Sequence, residues 1–173
     1  LLDAALLAIG ASLRLWQYFG NPSLFVDELA LTRNIIDRSL PSLLFRPLDF
    51  SQVAPKGFLL AEKIGVTLAG DSEYVLRFFP LLCALLSLPL FYLIARRIAA
   101  RPTATLALAL FVFSPPLISY GLEVKQYSSD VATSLVLILR LAKRRLIAST
   151  MAPESMIAPS TMASGGSISI PAF

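Results

Sequence analysis

The stretch "VLRFFPLLCALLSLPLFYLIA", residues 75–95, constrains this chain more than any other. One charged residue, Arg77, interrupts an otherwise apolar run. At helical rise the stretch is about 31 Å long, the thickness of a bilayer's hydrocarbon core. Such a segment is a membrane span, and the rest of the chain has to be arranged around it. Composition agrees: 56% of the residues are hydrophobic and 15% are charged, a membrane balance and not a soluble one.

Three more apolar stretches qualify as spans. Residues 1–19 end in "LRLWQYF", where Trp16, Tyr18 and Phe19 make an interfacial aromatic belt and Arg14 is placed to snorkel outward. Residues 103–120 are about 27 Å long as a helix, bent at the far end by Pro115-Pro116. Residues 128–142 form the shortest. The expected fold is therefore all-α, a multi-pass bundle of about four spans. Residues 20–74 form an outer loop with amphipathic juxtamembrane helices.

The stretch 57–70, "GFLLAEKIGVTLAG", is too short to cross and carries Glu62 and Lys63 at its middle. Phe58, Leu59, Ala61, Ile64 and Leu68 can share one apolar face, so it reads as a helix lying on the membrane. That choice decides topology. If 57–70 stays on one side, "ARRIAAR" (95–101) and "KRR" (143–145) share the opposite side, as the positive-inside rule requires. The loop 20–74 and the turn around 119–130 then face outward together.

Composition also removes function classes. There is no histidine, which excludes imidazole catalysis and His-metal sites; any metal would rest on carboxylates. Cys83 is the single cysteine and reads as a packed core thiol. The net charge of +4 sits at the ends of apolar runs, which explains it by topology and gives no reason to expect a nucleic-acid partner.

The chemistry-bearing residues lie in the two outward segments. "LFVDELALTRNI", 24–35, sets Asp27 beside Glu28 at the start of a helix expected to run to about Ser39. Leu29, Ile36 and Leu40 line one side of it, widened by Leu31 and Ile35. The plainer reading of Asp27 is a helix N-cap; the functional one is a catalytic acid. "SYGLEVKQYSSD", 119–130, gathers Glu123, Lys125, Gln126, Tyr127 and Asp130. If helical, Glu123, Tyr127 and Asp130 share a face; the plain alternative is a polar interfacial turn. "SQVAPKGF", 51–58, puts Lys56 where lipid phosphates sit, plainly an anchor to anionic headgroups. In "GDSE", 70–73, Asp71 or Ser72 caps the next span and Glu73 occupies its first turn.

In order, "SLFVDELALTRNI", "APKGFLLAEK", "GDSEYVLRFFPLL" and "SPPLISYGLEVKQYSSDV" resemble the membrane-embedded glycosyltransferases of the C-type fold, the protein O-mannosyltransferase-like and aminoarabinose-transferase-like group, over roughly residues 10–140. The resemblance implies transfer of a sugar from a polyprenyl-phosphate carrier to a glycan, lipid or protein acceptor on the outer side. The setting it implies is a bacterial plasma membrane with the site facing the periplasm. Asp27, with Glu28 beside it, takes the place of the acid that deprotonates or orients the acceptor. Lys56, then Lys125, then Arg77, are the cations for the donor phosphate; many relatives carry a second proline where this chain has Lys56. Glu123, Gln126, Tyr127 and Asp130 would shape the acceptor or sugar pocket. The lipid-linked sugar is the donor substrate, and no resident cofactor or metal ligand is assigned.

The resemblance stops near Leu141. Residues 143–173 are rich in Ser, Ala and Pro without apolar period, so disorder is expected, with a frameshifted or truncated reading frame as its origin and a short flexible cytoplasmic tail as the alternative. On that reading the chain is an N-terminal fragment, inactive alone. The competing reading is a non-catalytic membrane module, such as a lipid-handling or transporter subunit.

Overall fold

The computed structural model describes the backbone of residues 1–151 and the side chains of residues 1–142. Every regular element among the described residues is helical: α1 (Leu2–Gly20), α2 (Val26–Asp37), α3 (Leu40–Phe45), α4 (Lys56–Ala69), α5 (Glu73–Ile98), α6 (Arg101–Val112), α7 (Pro115–Ser119) and α8 (Tyr127–Met151).

α5 is the spine. Ser72 begins it as expected, its hydroxyl accepting from the Val75 amide at 3.4 Å, with Glu73 in the first turn. Among the described residues it is the one helix both long and apolar enough to cross a membrane. α1 and α8 have the length, but polar residues dilute them. The run 103–120 differs from expectation. α6 stops at Val112, and Pro115-Pro116 open a separate short helix instead of bending one span. Proline fits the first helical turn, where its missing N–H costs nothing, so the pair starts α7.

α1 lies antiparallel along α5. At one end the Tyr18 hydroxyl donates to the Tyr74 carbonyl (2.8 Å). At the other, Asp3 accepts from Tyr92 (2.8 Å) and from Thr105 of α6 (2.6 Å). Leu6, Leu88, Leu108 and Val112 form the buried core there. Gly10 is required at this seam: a Cβ on it would come within 3.1 Å of both Leu88 and Val112 side chains. Cys83 is buried and unpaired as expected.

The Tyr18–Tyr74 bond also brings the two ends of the 20–74 loop together. Residues 20–74 leave α1 and enter α5 at the same end, so α4 does not traverse the bundle. One face of α4 packs on the bundle. Phe58 and Leu59 are buried with Leu31, Ile35, Leu43, Leu76 and Val124, whereas Leu68 is 82% exposed and Ile64 half-exposed. The face turned inward is Phe58–Leu59–Glu62, with Gly65 against Val75. Lys63 donates to the Ile35 and Ile36 carbonyls at 2.8 and 3.0 Å. It thereby satisfies acceptors at the end of α2.

Arg14 departs from expectation too. Its side chain is buried at 1% exposure, donates back to the Gly10 carbonyl at 3.0 Å, and lies beside Gly121. The α1 face that carries it is the face packed on the bundle, so it points inward and does not snorkel. α8 continues through Met151, past the boundary expected at residue 142. Residues 152–173 of the expected tail, and the side chains of the 143–145 basic cluster, lie outside the described residues.

Candidate functional site

α2 begins at Val26, with Phe25 as its extended cap residue. Asp27 is thus inside the first turn, not at the cap, and makes no capping bond. Glu28 does that work. Its Oε2 accepts from the Phe25 amide (2.9 Å), and its Oε1 accepts from the Val124 amide (2.8 Å) across the molecule. Glu28 is buried, so this carboxylate is a clasp between the start of α2 and the 121–126 turn. The buried face of α2 is Glu28, Leu31, Thr32 and Ile35; Leu29 and Leu40, expected on the apolar side, are exposed.

The clasp brings Lys125 to Asp27. Lys125 Nζ lies 2.7 Å from Asp27 Oδ2 and donates to Gln52 Oε1 at 2.7 Å. Gln52 Nε2 donates to Asp27 Oδ1 at 2.8 Å. The three side chains close a ring. Within it Asp27 is 67% exposed at its side chain and Lys125 9%. The Lys125 and Gln52 hydrogen bonds hold the Asp27 carboxyl below the usual carboxylate range.

Gln52 is a member of this ring that sequence reasoning missed. It stands in the quoted segment 51–58 but carries no spacing signal. Its position depends on a constrained loop. Phe50 and Ser51 both adopt left-handed backbone, φ 60° and 54°, which costs non-glycine residues of order 1–3 kcal/mol each. Two ties hold them there. Asn34 Oδ1 accepts from the Asp49 amide at 2.8 Å, and Arg38 pairs with Asp49 at 2.7 Å. Strain maintained in this way points the Gln52 amide at Asp27.

The other expected residues divide. Glu123 lies in the turn before α8, so it does not share a helical face with Tyr127 and Asp130, which begin that helix. Burial first, then the charges of Glu28 and Asp27, push the Glu123 carboxyl up, against Lys125. Gln126 has its side-chain oxygen buried with no partner among the described residues. The Tyr127 ring lies 4.6 Å from that of Tyr120, and Asp130 is exposed. Lys56 does not touch the ring; its ammonium sits 4.9 Å over the Phe45 face, in a groove it shares with Gln52 and Arg46. Arg77 is held elsewhere: Nη1 donates to Asn21 at 2.6 Å and lies 3.7 Å from Glu73. It braces the end of α1 against α5.

The described chain is all-α with one long apolar helix, and an acid, an amide and an ammonium gather near one end of that helix. The family model for dolichyl-phosphate-mannose-protein mannosyltransferase matches residues 54–151. The chain belongs to that family, and is a membrane glycosyltransferase of the mannosyltransferase type. No curated protein matches it, and no solved structure does. The family match contains Lys125, Glu123 and Lys56 but begins after Asp27, Glu28 and Gln52; packing is what joins the two sets.

Proposed function

We propose that the Asp27–Gln52–Lys125 corner serves sugar transfer from a polyprenyl-phosphate donor to an acceptor on the extracytoplasmic side of a multi-pass protein. In a bacterium that side is the periplasmic face of the plasma membrane. The observation that carries this reading is the ring itself: an exposed, ionised carboxylate fixed on two oxygens beside a largely buried ammonium.

The chemistry needs both charges. The acceptor oxygen forms a bond to the anomeric carbon as the bond from that carbon to the phosphate oxygen breaks. The electron pair leaves with the polyprenyl phosphate, and the acceptor's proton passes to Asp27. Each Asp27 oxygen accepts one bond in the ring and keeps a lone pair, so the carboxylate can still receive the acceptor hydroxyl. Lys125, beside it, offsets the charge growing on the departing phosphate. Lys56 and Arg46, along the neighbouring groove, attract the same phosphate on entry. Glu123, Gln126, Tyr127 and Asp130 border the space for acceptor or sugar, and Glu28 maintains the corner's shape.

The test is binding of polyprenyl-phosphate mannose to the chain in phosphatidylcholine nanodiscs. Saturable binding is expected, weakened about tenfold or more by Lys125→Met, one lost charge-assisted contact. Equal binding of phosphatidic acid, or no change in Lys125→Met, overturns the reading and favours a non-catalytic lipid-handling module.

A further inference from the structure

A groove of about 500 Å³ runs between α4 and α5. It shares no lining residue with the groove beside Gln52 and Lys56. Its walls are almost wholly apolar, with half-exposed or exposed Ile64, Leu68, Phe78 and Leu82 along the rim. One polar side chain breaks the pattern. Glu62 is 1% exposed, lines the groove, and its Oε1 has no hydrogen-bond partner among the described residues. A buried carboxyl without a partner is costly, and nothing in the Asp27 corner uses it.

Position says what the groove meets. Tyr18 and Tyr74 close one end, and exposed Trp16 and Phe19 stand at the same level, an aromatic belt marking the membrane interface. The opposite wall is α5, the helix long and apolar enough to cross a membrane, which places the groove where headgroups would give way to chains. Its volume suits a small-molecule site and amounts to little more than one turn of a helix of about 10 Å diameter. An extended hydrocarbon chain fits that space; a packed helix does not.

We propose that this groove is a lipid-binding site that takes one acyl chain of a bilayer phospholipid, with the ester carbonyl accepting a hydrogen bond from Glu62. The carboxyl is suited to donate: burial pushes it up to about 8, so it is mostly protonated at neutral pH. The site is a resident-lipid site, separate from the proposed donor corner and independent of that corner's chemistry.

The experiment uses the full chain in nanodiscs of phosphatidylcholine containing a phosphatidylcholine with a diazirine on its acyl chain. After irradiation, labelled peptides are mapped. Label is expected to concentrate on the 64–68 and 78–82 segments. It should fall about tenfold in Gly65→Trp, which fills the groove, while label on exposed Leu106 and Leu110 of α6 stays unchanged. Ile64→Trp, at the half-exposed rim, gives the same readout without entering the packed side. Glu62→Gln, which keeps a donor, is expected to retain the label, and Glu62→Leu to lose it. Label spread equally over α6 and the groove, or insensitive to both tryptophans, overturns the proposal. So does displacement by excess polyprenyl phosphate, which assigns the groove to the donor.

Discussion

Asp27→Asn is expected to lower sugar transfer by about 10²–10⁴-fold, the usual contribution of a positioned proton acceptor, with the fold intact. The substitution preserves shape and removes no cap, because Glu28, not Asp27, caps α2. What it removes is the ionised acceptor and the partner of Lys125. The measurement is transfer from labelled polyprenyl-phosphate mannose in membranes where the wild-type chain supports transfer, with protein amounts matched. Near-wild-type transfer would reduce Asp27 to a surface ion pair. The pH profile adds a second readout. The folded carboxyl is depressed by Lys125 and Gln52, so Asp27 stays ionised as pH falls from neutrality through the ordinary carboxylate range. Its contribution is lost only below that range. Lys125→Met removes the main cause and is expected to move the acid limb upward.

Glu28→Ala is expected to cost about 2–5 kcal/mol of stability, since two backbone amides lose a carboxylate acceptor and each unsatisfied donor costs about 1–3 kcal/mol. One of them, Val124, is fully buried in the outer cluster. Glu28→Gln keeps one acceptor oxygen and should fall between the two. Unfolding followed in mixed detergent micelles checks the order. A loss below about 1 kcal/mol in Glu28→Ala would mean the 121–126 turn is held by something else. The two adjacent acids thus separate into one exposed carboxylate paired with Lys125 and one buried carboxylate that joins two backbone segments.

Much of the scaffold was legible because it depends on long, local signals. The apolar run 75–95 became α5, Ser72 its cap, and Cys83 a core thiol. That 57–70 returns to the end of the bundle it left is consistent with its short length, since the 20–74 loop starts and finishes beside Tyr18 and Tyr74. What sequence could not show depends on which face meets a partner. In the sequence, Glu62 and Lys63 read only as charges at the middle of a segment too short to cross. α4 instead tucks against α5, which buries Glu62 and sends Lys63 to the end of α2. Arg14 sat near enough to the belt to snorkel, yet its helix face is the packed one. The Glu123–Tyr127–Asp130 face required a helix that starts four residues late, since 121–126 is a turn whose amide serves Glu28. Gln52 had no local signal at all; its role comes from a strained loop tied down by Asn34 and Arg38. Contacts as distant in sequence as Glu28 to Val124 have no periodicity to read.

The central claim is that the two polar segments meet on one face of the membrane. Single cysteines at Leu29, Asp130 and Arg97, each in a Cys83→Ala background, test it with a membrane-impermeant maleimide on sealed vesicles. The account predicts that Leu29→Cys and Asp130→Cys label from the same side and Arg97→Cys only from the other. Labelling of Leu29→Cys and Asp130→Cys from opposite sides would contradict it.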